Sequence, residues 1–448
     1  AGRHARGARD RTVSDQAVSE LVDHLFRHKA GQMVATLTRL FGLDNLQLAE
    51  DVVQDTLLQA LRQWSYRGVP ENPGGWLLQV AKNRAIDILR RQTNLRHKLS
   101  YLDDHAPDDG LRLDDPLGDD QLTMLFIGCH PAFSPEVRIT LLLKTLGGFS
   151  VSEIARAFLL PETAVAQRLV RARRKIRDLR LTFELPPELV GRLDDVLTIL
   201  YLLFNEGYGA TLGDQLVRAD MCEEAIRLGE LLAANPIGDQ PHVHALLALM
   251  WLHVSRLPAR TDAAGGLLLL SEQDRAKWNR GAIQRGFDHL RQARTGSHLT
   301  EYHLQAGIAA CHAAAPSYKA TDWETVLFYY DQLIALRPSP VFCLNRAVAV
   351  AMLEGADAGL RALDTIRGLE RYYLLPAVYG ELYERKADTA AAAQAYERAL
   401  ALATNGAERQ FLLKKLARVT SAMNAAPCPV PSVDTLTGTP EQTPSLPC

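Results

Sequence analysis

Helical periodicity runs almost without interruption through this chain, and strand signals are nearly absent. That feature constrains the fold most, because apolar residues recurring every three or four positions build helices that must pack on other helices. In Trp76–Arg91, Leu77, Val80, Ala81, Ile88 and Leu89 stand at helical spacing with polar residues between them. The composition agrees: 47% hydrophobic and only 7% aromatic residues describe an Ala- and Leu-rich helical protein. At 448 residues the chain exceeds what one core serves, so several helical domains are expected.

Breaks in the pattern divide the chain. Residues 1–17 are basic, lack the apolar stretch of a secretory signal, and read as a disordered leader. A first helical block covers 18–98. An acidic linker follows at 99–120, with its aspartates between Asp103 and Asp120 and turn residues Pro107, Gly110, Pro116 and Gly118. A second block spans 121–183, and Pro186-Pro187 marks the next boundary. A helical connector (187–240) leads to a long helical region (241–424), and a Pro/Thr/Ser-rich tail (425–448) reads as disordered. The 50 basic and 52 acidic residues nearly cancel, yet Arg168–Arg180 is strongly basic and Asp103–Asp120 acidic. Such asymmetry points to nucleic acid on one part. Cys129, Cys222, Cys311, Cys343, Cys428 and Cys448 stand singly, which suggests neither a zinc site nor a disulfide framework but a reduced, cytoplasmic chain. No apolar run is long enough to span a bilayer.

The stretch Phe149–Arg180 reads as a helix-turn-helix. Ser150 and Glu153 form a capping box before a short helix, Ser152–Phe158, that turns Ile154, Ala155 and Phe158 inward. Leu159-Leu160 make the turn, and Pro161 suits the first position of a second helix. That helix turns Val165, Leu169 and Ile176 inward and leaves Gln167, Arg168, Arg171, Arg174 and Lys175 outward. Near its start, Glu162, Thr163 and Gln167 are placed to reach base edges in a major groove, while the arginines suit phosphates. A solvated basic face on an ordinary helix pair would give the same pattern.

Three stretches in order carry a resemblance: Ala49–Trp64 (AEDVVQDTLLQALRQW), Asn72–Arg91 (NPGGWLLQVAKNRAIDILRR) and the helix-turn-helix. Together they resemble regions 2 and 4 of an extracytoplasmic-function sigma factor of the sigma-70 family, over roughly residues 18–180. The resemblance implies an all-α fold: a region 2 bundle, a region 4 helix-turn-helix, and behind them a helical-hairpin solenoid. It implies core RNA polymerase and promoter DNA as partners. Asp51, Gln54 and Asp55 match the helix that docks on the polymerase clamp, where acidic and amide groups suit a basic surface. Lys82, Asn83, Arg84 and Asp87 match the segment that opens the −10 element and captures a flipped base, with Arg90 and Arg91 on backbone phosphates. Glu162, Thr163, Gln167, Arg168, Arg171, Arg174 and Lys175 would read the −35 element. Trp76 is expected in the core rather than stacked on a base. The acidic linker either imitates nucleic acid in the polymerase channel or is a soluble tether.

Later segments, among them Tyr201–Tyr208 (YLLFNEGY), resemble the subfamily with a long fused C-terminal domain of unknown function. Gly380, Tyr383, Ala392, Tyr396 and Ala399 stand at the offsets of one tetratricopeptide (TPR) repeat of about 34 residues. Tyr330, Leu333 and Pro338 fit the end of another, and Asn345–Ile366 a third, with Ala347 at the glycine position. Such stacks bind proteins rather than perform chemistry. His242 and His244 would point to different faces of a helix, and the neighbours Cys311 and His312 form no catalytic geometry, so no enzyme, metal or cofactor is expected. The apolar run Val196–Phe204 is the candidate hinge and contact surface between the halves, and a regulatory protein is a candidate partner of the TPR-like face. Three functions stand against one another: an initiation factor, a TPR-type interaction scaffold with a vestigial helix-turn-helix, and a helix-turn-helix regulator that acts without polymerase.

Overall fold

The structure, a computed structural model, describes residues 29–92, 118–158, 160–185, 189–208, 219–262, 266, 268–296, 298–403 and 406–425. The leader, most of the acidic linker and residues 426–448 lie outside the described residues. The described residues contain no β-strand.

The first bundle comprises α1 (29–41), α2 (Leu46–Arg67) and α3 (Pro73–Gln92), with a short turn of 3₁₀ helix, Leu43–Asn45, between the first two. Apolar residues at helical spacing drive its assembly: Met33, Val34 and Leu37 on α1, Val53, Leu57 and Ala60 on α2, and Leu77, Ala81 and Ala85 on α3 are all buried. Trp76 packs against this core, its ring 5.5 Å from that of Trp64. The helix-turn-helix block comprises α4 (Gly118–Gly128), α5 (Pro135–Thr145), α6 (Val151–Phe158) and α7 (Glu162–Asp178). The acidic stretch thus ends sooner than expected, because Asp120 is already helical. It accepts hydrogen bonds from Thr36 (3.2 Å) and from Arg39 (3.0 Å), which ties α4 to α1. The two blocks touch closely. A Cβ added to Gly31 would lie 2.0 Å from the carbonyl oxygen of Leu146, so only glycine fits there.

Next comes α8 (Leu189–Tyr208), which contains Val196–Phe204, the run expected as hinge and contact surface; the contact surface is there and the hinge is not. It is instead one unbroken helix at the centre of the molecule, packed on α4 and α5 on one side and on α9 (Ala219–Ala233) and α10 (Pro241–Val254) on the other. Leu193, Val196, Leu197, Ile199, Leu200, Leu203 and Phe204 are buried. A helix apolar on this many sides has to sit inside. Two polar ties flank it: Arg138 donates to Asp195 (3.2 Å) and Arg192 to the carbonyl of Phe126 (2.7 Å). A single hydrophobic cluster accordingly runs from Ala30 to Ala313.

The remaining helices are α11 (Arg280–Ala293), α12 (Glu301–Ala314), α13 (Trp323–Leu336), α14 (Pro340–Glu354), α15 (Ala356–Asp364), α16 (Leu374–Arg385), α17 (Thr389–Leu402) and α18 (Gly406–Ala425). From α13 onward each packs on the helices just before and after it, as in a solenoid of hairpins. The TPR offsets translate directly into packing. A Cβ on Gly380 would meet the ring of Tyr396 at 2.7 Å, while Ala392 and Ala399 are fully buried. The same device recurs at Gly307 and Tyr329, one residue before the Tyr330 singled out by the sequence. Asn279, Asp322 and Asp388 cap α11, α13 and α17 by accepting from the N–H groups of Ala282, Thr325 and Ala391. Arginines close helix ends elsewhere. Arg260 donates to the carbonyl of Tyr208 at the end of α8, and Arg275 to those of His312 and Ala315 at the end of α12. At the far end α18 folds back on the segment before η-turn residues 275–277, with Lys414 on Asp262 (2.7 Å) and Lys415 on Glu272 (3.1 Å).

Burial leaves two histidines of this half without a charge. His253 is held well below the ordinary imidazole value by burial and by Arg256 and Arg260. His312 is pushed down to about 3 by burial, with Arg256 and Arg275 adding to it. A lowered imidazole binds fewer protons folded than unfolded, so its stabilising effect is complete above about pH 6.5 and is lost as pH falls. Urea unfolding should show the consequence. Between about pH 6.5 and 5, the stability of His312→Phe relative to the parent should improve by about 1.4 kcal/mol per pH unit. A pH-independent difference would contradict a neutral His312.

Candidate nucleic-acid interface

Local chemistry builds the helix-turn-helix. The N–H of Ser150 donates to Glu153 (2.7 Å) and the N–H of Glu153 to the Ser150 hydroxyl (3.1 Å), the reciprocal capping box that the sequence predicts. Helix α6 starts one residue before the expected Ser152. Ile154 and Ala155 are buried and Phe158 packs at the edge of the core. Pro161 is the residue that precedes α7 rather than its first member, with an extended ψ of 140°. Along α7, Val165, Leu169, Ala172 and Ile176 are buried.

Of the residues expected outward on α7, Glu162, Thr163, Gln167, Arg171 and Arg174 are exposed. Gln167 and Arg171 lie 3.5 Å apart, and Arg174 is 3.8 Å from Asp178. Two depart from the expectation. Arg168 is half-buried and donates to the Thr140 hydroxyl (3.2 Å), because it lies on the side of α7 that faces α5. Lys175, although exposed, donates to the carbonyl of Ala132 and lies 5.8 Å from the Phe133 ring centre.

The region 2 residues form one continuous surface. Asp51 and Asp55 are exposed on α2 and Gln54 is half-buried between them. On α3, Lys82 is half-buried, while Asn83, Arg84, Asp87, Arg90 and Arg91 are exposed. Arg84 pairs with Asp55 at 2.8 Å, so the two sets adjoin. Asn83 accepts from Gln79 at 3.0 Å.

Sequence reasoning missed Glu50 and Arg173. Arg173, on α7, donates to Glu50, on α2, and their side chains are 13% and 3% exposed. Burial raises the Glu50 carboxyl, and Arg173 and Lys144 pull it back. Burial likewise raises neighbouring Asp51, against the same two cations. A signal existed: each residue stands on its helix's apolar stripe, Glu50 four after Leu46 and Arg173 four after Leu169, with opposite charge.

His244 bonds not to His242 but to His289 (3.0 Å) and Asp239 (2.8 Å). No group among the described residues has a metal-binding arrangement, and no described helix is long and apolar enough to cross a membrane. Burial raises the Cys311 thiol and lowers His312, the reverse of an activated pair.

The fold and these surfaces are those of a helix-turn-helix protein with a second, separate polar face on an N-terminal bundle. Residues 25–94 match the family described as Sigma-70 region 2, residues 125–176 match Sigma-70, region 4, and residues 192–294 match a family of unknown function, DUF6596. An uncharacterized protein, R00370, of Rhizobium meliloti (strain 1021) is 39% identical over 394 residues, covering 86% of this chain and 92% of the relative. The ECF RNA polymerase sigma factor SigE of Mycolicibacterium smegmatis is 28% identical over 168 residues, which cover 37% of this chain and 64% of that factor. The chain thus carries sigma-70 regions 2 and 4 in order, followed by the DUF6596-matching region, and over part of its length it is similar to an extracytoplasmic-function sigma factor. Its sigma-70 domains imply core RNA polymerase and promoter DNA as partners, and the family is not enzymatic.

Proposed function

We propose that this protein binds core RNA polymerase and directs initiation at promoters by recognising −10 and −35 elements, with its C-terminal helices serving regulation. The observation that carries the reading is the joined surface on α2 and α3, where Asp55 and Arg84 are in contact. One rigid bundle thereby presents a face for a basic protein surface beside a face for DNA. A regulator that works without polymerase has no use for the first. In this reading Asp51, Gln54 and Asp55 dock on the clamp, and Lys82, Asn83, Arg84, Asp87, Arg90 and Arg91 handle the −10 element. Glu162, Thr163, Gln167, Arg171 and Arg174 face the −35 element, while Arg168 and Lys175 contribute after releasing their present partners. The protein works in the cytoplasm as a non-enzymatic factor, and a regulatory protein engages the TPR-like face.

The Glu50–Arg173 pair ties the two blocks together in the free chain. Gel filtration with core polymerase tests the docking face. Asp51→Lys combined with Asp55→Lys will leave a folded protein that no longer co-elutes with polymerase and supports no run-off transcription. Co-elution at parental stoichiometry would refute the docking assignment.

A further inference from the structure

The C-terminal half contains a cavity of about 200 Å³ that none of the functions above uses. Leu269, Leu270 and Ser271, from the segment held by α18, form one wall, and α12, α13, α14, α16 and Tyr318 in the loop before α13 supply the rest. The aromatic side of the cavity is ordered: Trp323 lies 5.1 Å from Tyr318 and 5.3 Å from His312, ring centre to ring centre, both edge to face. Yet the indole N–H of Trp323 and Nδ1 of His312 have no hydrogen-bond partner, although the residues are only 8% and 9% exposed. Nearby Thr321, 5% exposed, has an unpaired hydroxyl as well. Buried polar groups are ordinarily satisfied, so the two that line the cavity, Trp323 and His312, indicate a missing partner.

The charges define that partner. Glu381 lines the cavity but is paired with Arg385 at 2.9 Å, so its charge is already balanced. Arg256 and Arg275 act on His312, and among the described residues neither has a carboxylate: Arg256 bonds to Tyr208 and His253, Arg275 to backbone carbonyls. One nitrogen of the Arg275 guanidinium is buried with no partner. Arg275 donates to the carbonyl of His312, which lines the cavity, and the Trp323 N–H is a free donor, so the polar side favours an acceptor and the walls are rings and leucines. A cavity of about 150 Å³ holds a benzene ring, so this one has room for a ring bearing a small polar group.

We propose that this cavity binds a small planar organic carboxylate, its oxygens toward the Trp323 N–H and His312 and its ring between Tyr318 and Leu270. Because Leu269–Ser271 form one wall, an occupant ties that segment to the solenoid, and so links the DUF6596-matching region to the TPR-like helices.

Isothermal titration of the full chain with benzoate, benzamide and benzylamine tests the proposal. Benzoate will bind with a Kd near 1 mM, as suits a fragment of this size, benzamide more weakly, and benzylamine not measurably. Trp323→Phe keeps the ring and removes the donor. It will weaken benzoate about fivefold or more and leave the melting temperature of the ligand-free protein unchanged or higher, since an unpaired buried N–H is lost. Ser271→Trp, on the exposed rim, will close the mouth and abolish binding without touching the core, which keeps the test valid should Trp323→Phe fold poorly. Absence of benzoate binding at about 10 mM would overturn the assignment, as would benzylamine binding as tightly as benzoate or full benzoate affinity in Ser271→Trp.

Discussion

Arg173→Ala will loosen the join between the first bundle and the recognition helix, at a cost of about 3 kcal/mol in stability to urea. The change leaves the Glu50 carboxylate buried, 3% exposed, without its guanidinium. One Glu50 oxygen already lacks a partner, so the loss cannot be made up by a second bond in place. Lys144, which also lowers the Glu50 pKa, moderates the effect and keeps the estimate at the lower end for a broken buried pair. The sign of the pH dependence follows. Glu50 titrates above the ordinary carboxylate value, so the folded state binds its proton more readily than the unfolded chain. Its favourable contribution is present at low pH and is lost as pH rises through the window above about 4.5. Without Arg173 that window extends upward, and the variant will recover part of its deficit near pH 5. Glu50→Gln in the same background removes the charge and should recover stability at neutral pH. Parental stability of Arg173→Ala at pH 8, with unchanged hydrogen exchange in α2 and α7, would show the pair to be incidental.

A fragment ending at Arg180 will not fold as a native region 4, although it contains all of regions 2 and 4. Its α4 and α5 would lose α8. The seven buried apolar side chains of α8 are shared between α4 and α5 on one side and α9 and α10 on the other, and each one that α4 and α5 cease to cover costs about 2 kcal/mol against a domain stability of roughly 5–15 kcal/mol. Arg138 would also lose Asp195, and the Phe126 carbonyl would lose Arg192. The expected product is aggregated, or compact without a cooperative melt. A fragment ending at Pro316 keeps the shared cluster, which reaches Ala313, and will melt cooperatively. Comparing the two by circular dichroism and gel filtration decides the matter: a cooperative melt of the shorter fragment falsifies the shared-core account. Tests of whether the C-terminal helices inhibit or activate transcription therefore need cuts beyond α8.

Local features were legible in the sequence and remote ones were not. The Ser150–Glu153 cap, the inward faces of α6 and α7 and the Gly380–Tyr396 contact each depend on residues within about two turns or one hairpin of each other, where spacing alone determines who meets whom. Pro161 fell one position outside its helix because its ring suits both the first helical residue and the one before it. Arg168 was assigned outward from the face it occupies on α7 alone, and its tie to Thr140 depends on where α5 lies. Glu50 and Arg173 are 123 positions apart, and only the docking of the two blocks reveals them as partners. The apolar run Val196–Phe204 beside a boundary reads as a contact surface, which it is, and as a hinge, which it is not. Its burial on two sides appears only once α4, α5, α9 and α10 are placed around it. The candidate DNA and polymerase contacts came from the family resemblance, and the fold adds that Asp55 and Arg84 touch.

The shared cluster reaching Ala313 also sets an order of events during synthesis. When Arg180 leaves the ribosome, the recognition helix is complete but half of the wall behind α5 has yet to be made. At about 5–20 residues per second, α8 to α12 follow over roughly ten seconds. During that interval the face of α4 and α5 that α8 covers is open to chaperones. The apolar faces of α4 and α5 that contact α8 thus wait on residues made after them, and the shared core closes only when its last contributing helix has been synthesised.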